Sequence, residues 1–230
     1  MKTNWNEYKF RPSGLVYIMT NGRKKGELSE TCKTYLDEIF VEKETGRKKI
    51  IQNKYMTKGT FREDESIEFF CEVCNVDFAF KNNKTYENDY VRGTPDLIFK
   101  DEIIDIKTNW DYFTYRKADA NQYYWQIQAY LWLTGKKKGK IAFCLLNNSD
   151  EDIASEQYRA SFNNPYKQDT IEYFAYEEET NEQIEKNMKF DDLSKEKKVK
   201  IIEFDYSEKD IELLKEKILV CREYLKTLEI

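Results

Sequence analysis

Two short apolar runs joined by a turn constrain the fold of this chain more than any other feature. The runs DLIF and EIIDIK, at residues 96–99 and 102–107, have the length and the isoleucine content of buried strands. The charged pair Lys100-Asp101 between them is a turn signal. We therefore expect a β-hairpin whose strands lie against a hydrophobic core.

Helical and extended patterns alternate around this hairpin. Helices are predicted over residues 29–45, 60–74, 118–134 and 207–228. Further strands are predicted at residues 76–80, 86–93, 138–146 and 199–206. This order favours one α/β domain over residues 1–230, with a mixed central β-sheet flanked by α-helices.

The segment 147–198 is polar and gives a weaker pattern, which predicts loops with one short strand or helix. Charge is also uneven along the chain. Residues 1–150 carry 25 Lys and Arg against 22 Asp and Glu, whereas residues 151–230 carry 13 against 21. We interpret residues 151–230 as a peripheral acidic segment, and the predicted hairpin lies in the mildly basic part.

Composition excludes several classes of protein. The chain has no histidine, which removes histidine-based nucleophilic catalysis and most zinc enzymes. Its five cysteines are irregularly spaced and do not make a disulfide framework. No apolar run reaches the length of a membrane helix, and the N-terminus has no secretory apolar region. These features predict a cytoplasmic protein without a membrane partner.

Charged residues inside the predicted hairpin point to chemistry. Asp105 and Lys107 are two positions apart on one strand, so their side chains point to the same face. Asp96 begins the neighbouring strand and is expected to converge with Asp105 across the turn. Two converging carboxylates repel each other unless a divalent cation lies between them. Oxygen ligands favour Mg²⁺ or Mn²⁺, and Lys107 then stands where an ammonium orients an attacking water.

These residues resemble a known nuclease signature. The pair Pro95-Asp96 followed by Asp105-Ile106-Lys107 is similar to the motif of the PD-(D/E)xK superfamily. Because D-x-K is a common pattern, a surface hairpin with solvated charges is the alternative for the motif alone. Three further features, spread over residues 10–146, extend the resemblance.

An upstream helix is the first of these features. In the viral exonuclease branch of the superfamily, a Gly followed four residues later by Glu precedes the motif, and the Glu completes the metal site. Gly59 and Glu63 have this spacing, and Glu65 and Glu68 are alternatives on the same helix. The alternative is a purely structural role, in which acids in the first turn stabilise the helix through its dipole.

The other two features lie on either side of the motif. Gln126 and Tyr130 resemble the Q-x-x-x-Y of RecB-like nucleases, and their spacing puts both on one helix face. The alternative is an aromatic core stripe with Gln126 in solvent. Near the N-terminus, Ser13 and Arg11 resemble residues that face the DNA end in such nucleases. Ser13 as the N-cap of the segment GLVYIM is the alternative there.

Together these features resemble the lambda-exonuclease-like and RecB-like phage recombination exonucleases. The resemblance implies a restriction-endonuclease-like core that hydrolyses DNA from its ends. It implies four catalytic residues, Asp96, Asp105, Lys107 and Glu63. It implies one or two Mg²⁺ (or Mn²⁺) ions held by Glu63, Asp96, Asp105 and the carbonyl of Ile106. Gln126 and Tyr130 would support the site, and Ser13 with Arg11 would hold a terminal phosphate.

The same resemblance implies partners: duplex DNA with an end, a single-strand annealing protein, and copies of the chain itself in a ring-shaped trimer. A role in phage recombination or DNA repair would place the protein in the host cell cytoplasm. Three further cations near the motif are candidate DNA contacts, namely Arg92, Arg116 and Lys117.

Several alternatives stay open at this stage. An endonuclease of restriction or junction-resolving type, and a non-catalytic nucleic-acid-binding or inhibitor protein, are compatible with the same motif. Digestion polarity and strand preference are also open. The spacing Cys71-x-x-Cys74 allows an iron–sulfur cluster, although the order of the five cysteines differs from that of cluster-bearing RecB-like nucleases.

Overall fold

The computed structural model describes residues 3–24, 26–50, 54, 58–59, 62–76 and 80–229. Helices in this part are α1 (Leu15–Ile18), α2 (Glu30–Thr45), α3 (Glu63–Val73), α4 (Tyr112–Lys117), α5 (Tyr124–Thr134), α6 (Asp150–Ser161), α7 (Ile171–Met188) and α8 (Glu208–Lys226). Strands are β1 (Tyr86–Glu87), β2 (Arg92–Gly93), β3 (Leu97–Phe99), β4 (Glu102–Asn109), β5 (Lys138–Leu145) and β6 (Val199–Asp205). The predicted class, a mixed sheet flanked by helices, is confirmed.

The central sheet has the strand order β3-β4-β5-β6. β3 and β4 form the predicted antiparallel hairpin, with Leu97 opposite Ile104. Lys100 closes the turn between them with a left-handed backbone, at φ 52°. β5 runs parallel to β4, with Ile141 opposite Asp105, and β6 is antiparallel to β5. The predicted strand over 86–93 is instead the short pair β1 and β2.

The two faces of β4 bury different surroundings, because side chains alternate along a strand. Ile103 packs on the α5 side, in an apolar cluster with Ile127. Ile104 packs on the α3 side, in a cluster with Ile67. Asp105 shares the face of Ile103, so its carboxylate points toward α5.

Predicted helix ends are confirmed where a capping residue marks them. Ser29 caps α2 by accepting a hydrogen bond from the Cys32 amide, and Gly46 ends the helix with a left-handed backbone. Ser207 caps α8 in the same way as Ser29, and Gly135 ends α5 in the same way as Gly46.

The helix predicted over 118–134 begins later in the structure. α5 starts at Tyr124, after a 3-10 turn at Ala120–Tyr123. Asp119 caps that turn through the Asn121 amide, and Asp111 caps the separate helix α4. Two capping aspartates therefore divide an aromatic-rich run that has no helix breaker of its own.

The helix predicted over 60–74 is described as α3, and Phe61 lies outside the described residues. Ile67 and Phe70 on this helix are buried, whereas Cys71 is partly exposed. The strand predicted at 76–80 falls mostly outside the described residues, and its ends are not strand.

The prediction of loops over 147–198 is wrong, because α6 and α7 form a helical hairpin there. Ser149 and Thr170 cap the two helices. α6 buries Ile153 and α7 buries Met188, which are too few apolar positions to give a clear helical period.

Part of the segment 151–230 is integral to the fold rather than peripheral. β6 extends the central sheet, and α8 buries Ile211, Leu214 and Ile218 in the cluster that holds the N-terminal residue Phe10. In the described part of the chain, no helix combines the length and the apolar character needed to cross a bilayer.

Gly93 of β2 lies where two other elements meet the backbone closely. A Cβ at this position would come within 2.6 Å of Pro12 Cγ and 2.9 Å of Tyr130 Cε1. We expect Gly93→Ala to lower the free energy of unfolding by about 1–3 kcal/mol, because the added methyl overpacks the contact. Urea unfolding measures this. Gly59→Ala is the control, since a Cβ there meets nothing described within 4 Å, and equal losses in the two variants would contradict the packing.

Candidate active site

Asp105 lies at the middle of β4 and is completely buried. One carboxylate oxygen, Oδ1, accepts a hydrogen bond from Gln126 Nε2 at 2.8 Å. The other, Oδ2, lies 2.7 Å from Lys107 Nζ in an ion pair. Gln126 is therefore buried and bonded to Asp105, and it does not face solvent. Strand alternation supplies Lys107, and the packing of α5 on the sheet supplies Gln126.

Asp96 converges with this pair, as its place in the hairpin predicts. Its Oδ2 accepts a hydrogen bond from the Ile106 amide at 2.7 Å, which fixes the carboxyl beside β4. The pKa of Asp96 is raised to about 7, mainly by burial and then by the negative charge of the neighbouring Asp105. Lys107 and the Ile106 amide act in the opposite direction. The two carboxyls are thus short of positive charge.

Lys107 remains charged in this environment. Burial lowers the pKa of Lys107, but Asp105 and Asp96 outweigh that effect and raise it above the ordinary value. The ammonium also lies 4.9 Å from the ring centroid of Tyr123. A quarter of the side chain is exposed, so the charge faces an open cleft.

Glu63 is the first residue of α3 and lines the same cleft as Asp96 and Lys107. Its carboxylate is 3.3 Å from Lys81 Nζ. Of the two alternatives, Glu65 pairs with Arg62 and Glu68 is exposed outside the cleft lining. The structure therefore brings Glu63 toward the motif, rather than either of the other two acids.

The position of α3 is fixed by polar and apolar contacts with β4. The Ser66 and Thr108 hydroxyls lie 2.6 Å apart, and Ser66 is fully buried. Ile67 and Phe70 pack on the same side of the sheet. These contacts set the first turn of α3, and Glu63 with it, at the rim of the cleft.

Two cavities meet at Ser13. The cleft over the motif has a volume of about 1070 Å³. A second cavity of about 700 Å³ lies on the other side of Ser13. Ser13 is exposed on a short 3-10 turn and caps neither that turn nor α1, so the capping alternative is not supported.

The predicted DNA contacts separate between these cavities. Arg11 and Arg92 line the second cavity, and Lys117 lines the cleft. Arg116 is exposed but lines neither of them. Tyr130 is buried against the second cavity rather than bonded to Asp105, and burial raises its pKa.

Sequence patterns missed further cations of the second cavity. Lys9 and Lys43 lie there with Arg11 and Arg92, although they are far apart in sequence. The bridge between Phe10 and Val91 brings the N-terminal segment to β2. No local spacing signals this meeting, because it depends on the tertiary fold.

The donors around the motif fit a hard divalent cation. Carboxylates of Asp96 and Asp105, the Ile106 carbonyl and Glu63 are all oxygen ligands, as Mg²⁺ prefers. Within the described residues, no three acidic or sulfur ligands already stand at metal-binding distance. Asp96 and Asp105 already lie side by side. The Glu63 carboxylate, which pairs with Lys81, would have to turn away from that ammonium to join them.

Three of the five cysteines lie close together in the described structure. Cys71 and Cys74 pack near Cys144 in an apolar cluster beneath the sheet. Burial raises the pKa of all three thiols, that of Cys144 to about 12. Among the described residues no group of three or more cysteine, aspartate or glutamate ligands is placed to hold a metal ion, so the iron–sulfur alternative gains no support there.

Comparison with known proteins gives likenesses of fold. No family model matches the chain, and no curated protein matches its sequence. A phage-related exonuclease from Haemophilus somnus superposes with a TM-score of 0.75 at 20% identity, over 96% of this chain and 95% of that one. An alkaline exonuclease from Laribacter hongkongensis gives 0.63 at 13% identity, over 96% and 91%. The same enzyme in complex with dAMP gives 0.62 at 13% identity, over 95% and 88%.

The free energy of unfolding, measured without metal, should depend on whether the buried Asp96 carboxyl is ionised. Because the folded state raises the pKa of Asp96 above its unfolded value, ionising Asp96 costs stability as pH rises toward and through about 7. We expect Asp96→Asn to be more stable relative to wild type at pH 8 than at pH 4. Urea unfolding in EDTA measures this, with Asp101→Asn at an exposed position as control. A pH-independent difference would contradict the assigned environment.

Proposed function

We propose that this protein is a metal-dependent DNA exonuclease of the PD-(D/E)xK type. One observation carries the proposal: a fully buried Asp105, held by Gln126 and Lys107, lies beside Asp96 at the base of an open cleft. Converging buried carboxyls and an ammonium with shifted pKa values are typical of functional sites in clefts. Cation binding and phosphodiester hydrolysis give this arrangement a purpose.

The fold supports the same proposal. The chain shares its architecture over nearly its whole length with structures described as exonucleases. Fold alone does not fix function, so the weight rests on the site residues. The net acidity of the chain is no obstacle, because the adjoining cavity is lined by four cations, Lys9, Arg11, Lys43 and Arg92, against one acid, Glu7.

One or two Mg²⁺ or Mn²⁺ ions, when bound, would act as Lewis acids on the scissile phosphate. Glu63, Asp96, Asp105 and the Ile106 carbonyl would hold them. Lys107 donates a hydrogen bond to the attacking water and offsets negative charge on the phosphate. Gln126 binds Asp105 Oδ1, so a cation would share Oδ2 with the Lys107 ammonium.

The second cavity suits the end of the DNA. Ser13 joins it to the cleft, and Arg11 and Arg92 give it positive charge. Because Ser13 lines both spaces, a strand whose terminal phosphate lies in this cavity would continue into the cleft that holds Lys107. By the same resemblance we extend the proposal to phage recombination or repair in the host cytoplasm, with an annealing protein and a ring of copies as partners.

Cleavage of linear and covalently closed circular duplex DNA tests the proposal. We expect wild type with Mg²⁺ to degrade the linear substrate alone, and EDTA or Asp105→Asn to abolish degradation. Cutting of the circle would favour the endonuclease alternative. Binding of DNA without metal-dependent turnover would favour the non-catalytic alternative. A protein that neither binds nor cleaves DNA would contradict the proposed function and both alternatives.

Lys107 and Glu63 should each be needed for turnover. We expect Lys107→Met to lower kcat by about 10²–10³, because an aligned donor at the developing charge is lost. Glu63→Gln should raise the Mg²⁺ concentration needed for half-maximal rate. Glu68→Gln is the matched control on the same helix, and an equal effect from it would contradict the assignment of Glu63.

The end-binding role of the second cavity can be separated from catalysis. We expect Arg11→Ala to raise KM for a duplex with terminal phosphates about tenfold or more, by loss of a charge-assisted contact. The effect should shrink on a duplex with terminal hydroxyls. Arg116→Ala, which lies outside both cavities, should change neither KM. An equal rise in KM for both duplexes in Arg11→Ala would contradict the end-binding role.

A further inference from the structure

Lys58 is a buried lysine that the proposed chemistry does not use. Its relative exposure is 3%. The ammonium donates hydrogen bonds to the Leu146 carbonyl at 2.6 Å and to the Trp110 carbonyl at 3.3 Å. The rings of Trp110 and Phe190 lie 5.8 and 5.9 Å from the same nitrogen. The charge is thus held by backbone carbonyls and aromatic faces.

The two carbonyls mark the carboxyl ends of the central strands. Trp110 directly follows β4, and Leu146 directly follows β5. These strands are parallel, with Asn109 paired to Leu145, so their ends lie side by side. One ammonium therefore bridges the ends of both strands, including the strand that carries Asp105.

The backbone of Lys58 leads into α3. Its carbonyl accepts a hydrogen bond from the Arg62 amide at 2.9 Å, and Arg62 directly precedes Glu63. Gly59, the next residue, lines the cleft. The residue that carries the ammonium is thus hydrogen-bonded through its carbonyl to the residue directly before α3.

Asn148 strengthens the same junction. Its Nδ2 donates to the Trp110 carbonyl at 2.8 Å and to the Met188 carbonyl at 3.2 Å. Lys58, the ends of β4 and β5 and the end of α7 therefore meet at one point. An apolar side chain would fill this space without the desolvation cost of an ammonium. Burial lowers the pKa of Lys58 to about 7, with Arg62 adding to the effect, which reflects that cost.

We propose that Lys58 is a positioning residue, which fixes the start of α3 against the ends of β4 and β5 and so sets Glu63 relative to Asp96 and Asp105. The inference rests on the proposed metal site. It adds a third contact to the Ser66–Thr108 pair and the apolar face of α3. Loss of Lys58 would leave the catalytic carboxylates on the sheet intact while Glu63 drifts.

Two measurements on Lys58→Met test this. Amide hydrogen exchange should show faster exchange at Arg62 and the first turn of α3, with β4 unchanged. Calorimetric titration with Mn²⁺, in the absence of DNA, should show affinity roughly tenfold weaker, the size typical for loss of an outer contact. Lys58→Gln, which keeps an amide donor without the charge, should fall between Lys58→Met and wild type.

Lys54→Met is the matched control. Lys54 also lies over the Trp110 ring, at 4.9 Å, but its ammonium pairs with Glu156. We expect this variant to keep wild-type exchange in α3 and wild-type Mn²⁺ affinity. The same losses in Lys54→Met as in Lys58→Met would overturn the proposal.

The outcomes separate this proposal from the proposed function. Unchanged exchange at α3, with lower global stability alone, would show Lys58 to be a structural core residue and overturn the positioning role. Wild type that binds no Mn²⁺ and cuts no DNA would refute the metal site, and the proposal with it. Faster exchange with unchanged Mn²⁺ affinity would overturn the link from Lys58 to Glu63.

Discussion

The buried carboxylate of Asp105 is the group on which the site depends. A charge without exposure is tolerated only with partners, and here they are the Gln126 amide and the Lys107 ammonium. The first partner requires α5 to pack on the face of β4 that carries Asp105. The second requires two-residue spacing on the strand. Helix placement, strand register and chemistry are therefore joined at one side chain.

Asp96 adds a second buried carboxyl beside Asp105, and this pair is the reason that we propose a bound cation. The hairpin register brings it to the Ile106 amide, and burial first, then the neighbouring Asp105, raises its pKa. The other oxygen donors are placed on the sheet, while Glu63 comes from a helix that packs on one face of β4 and β5. Metal affinity should thus depend on how firmly α3 is held, which gives the contacts of Ser66 and Lys58 a functional consequence.

Local sequence predicted the parts of the fold that rest on local physics. The hairpin, the strand face shared by Asp105 and Lys107, and the caps at Ser29 and Gly46 follow from alternation and backbone preference. The helical hairpin of α6 and α7 was missed, because exposed helices bury too little to show a period. Lys9 and Lys43 of the second cavity and the Lys58 junction were missed for another reason, since these sites join segments that are distant in sequence.

The position at which a metal ion binds is the most informative single measurement on this site. Crystals grown with Mn²⁺ and a short duplex end, with data collected at the manganese absorption edge, would locate it. We expect an anomalous peak between Asp96 and Asp105 and beside the Ile106 carbonyl, with Glu63 turned away from Lys81. The absence of a peak at this position at saturating Mn²⁺, or a peak elsewhere with Asp105 still paired only with Lys107, would refute the proposed metal site.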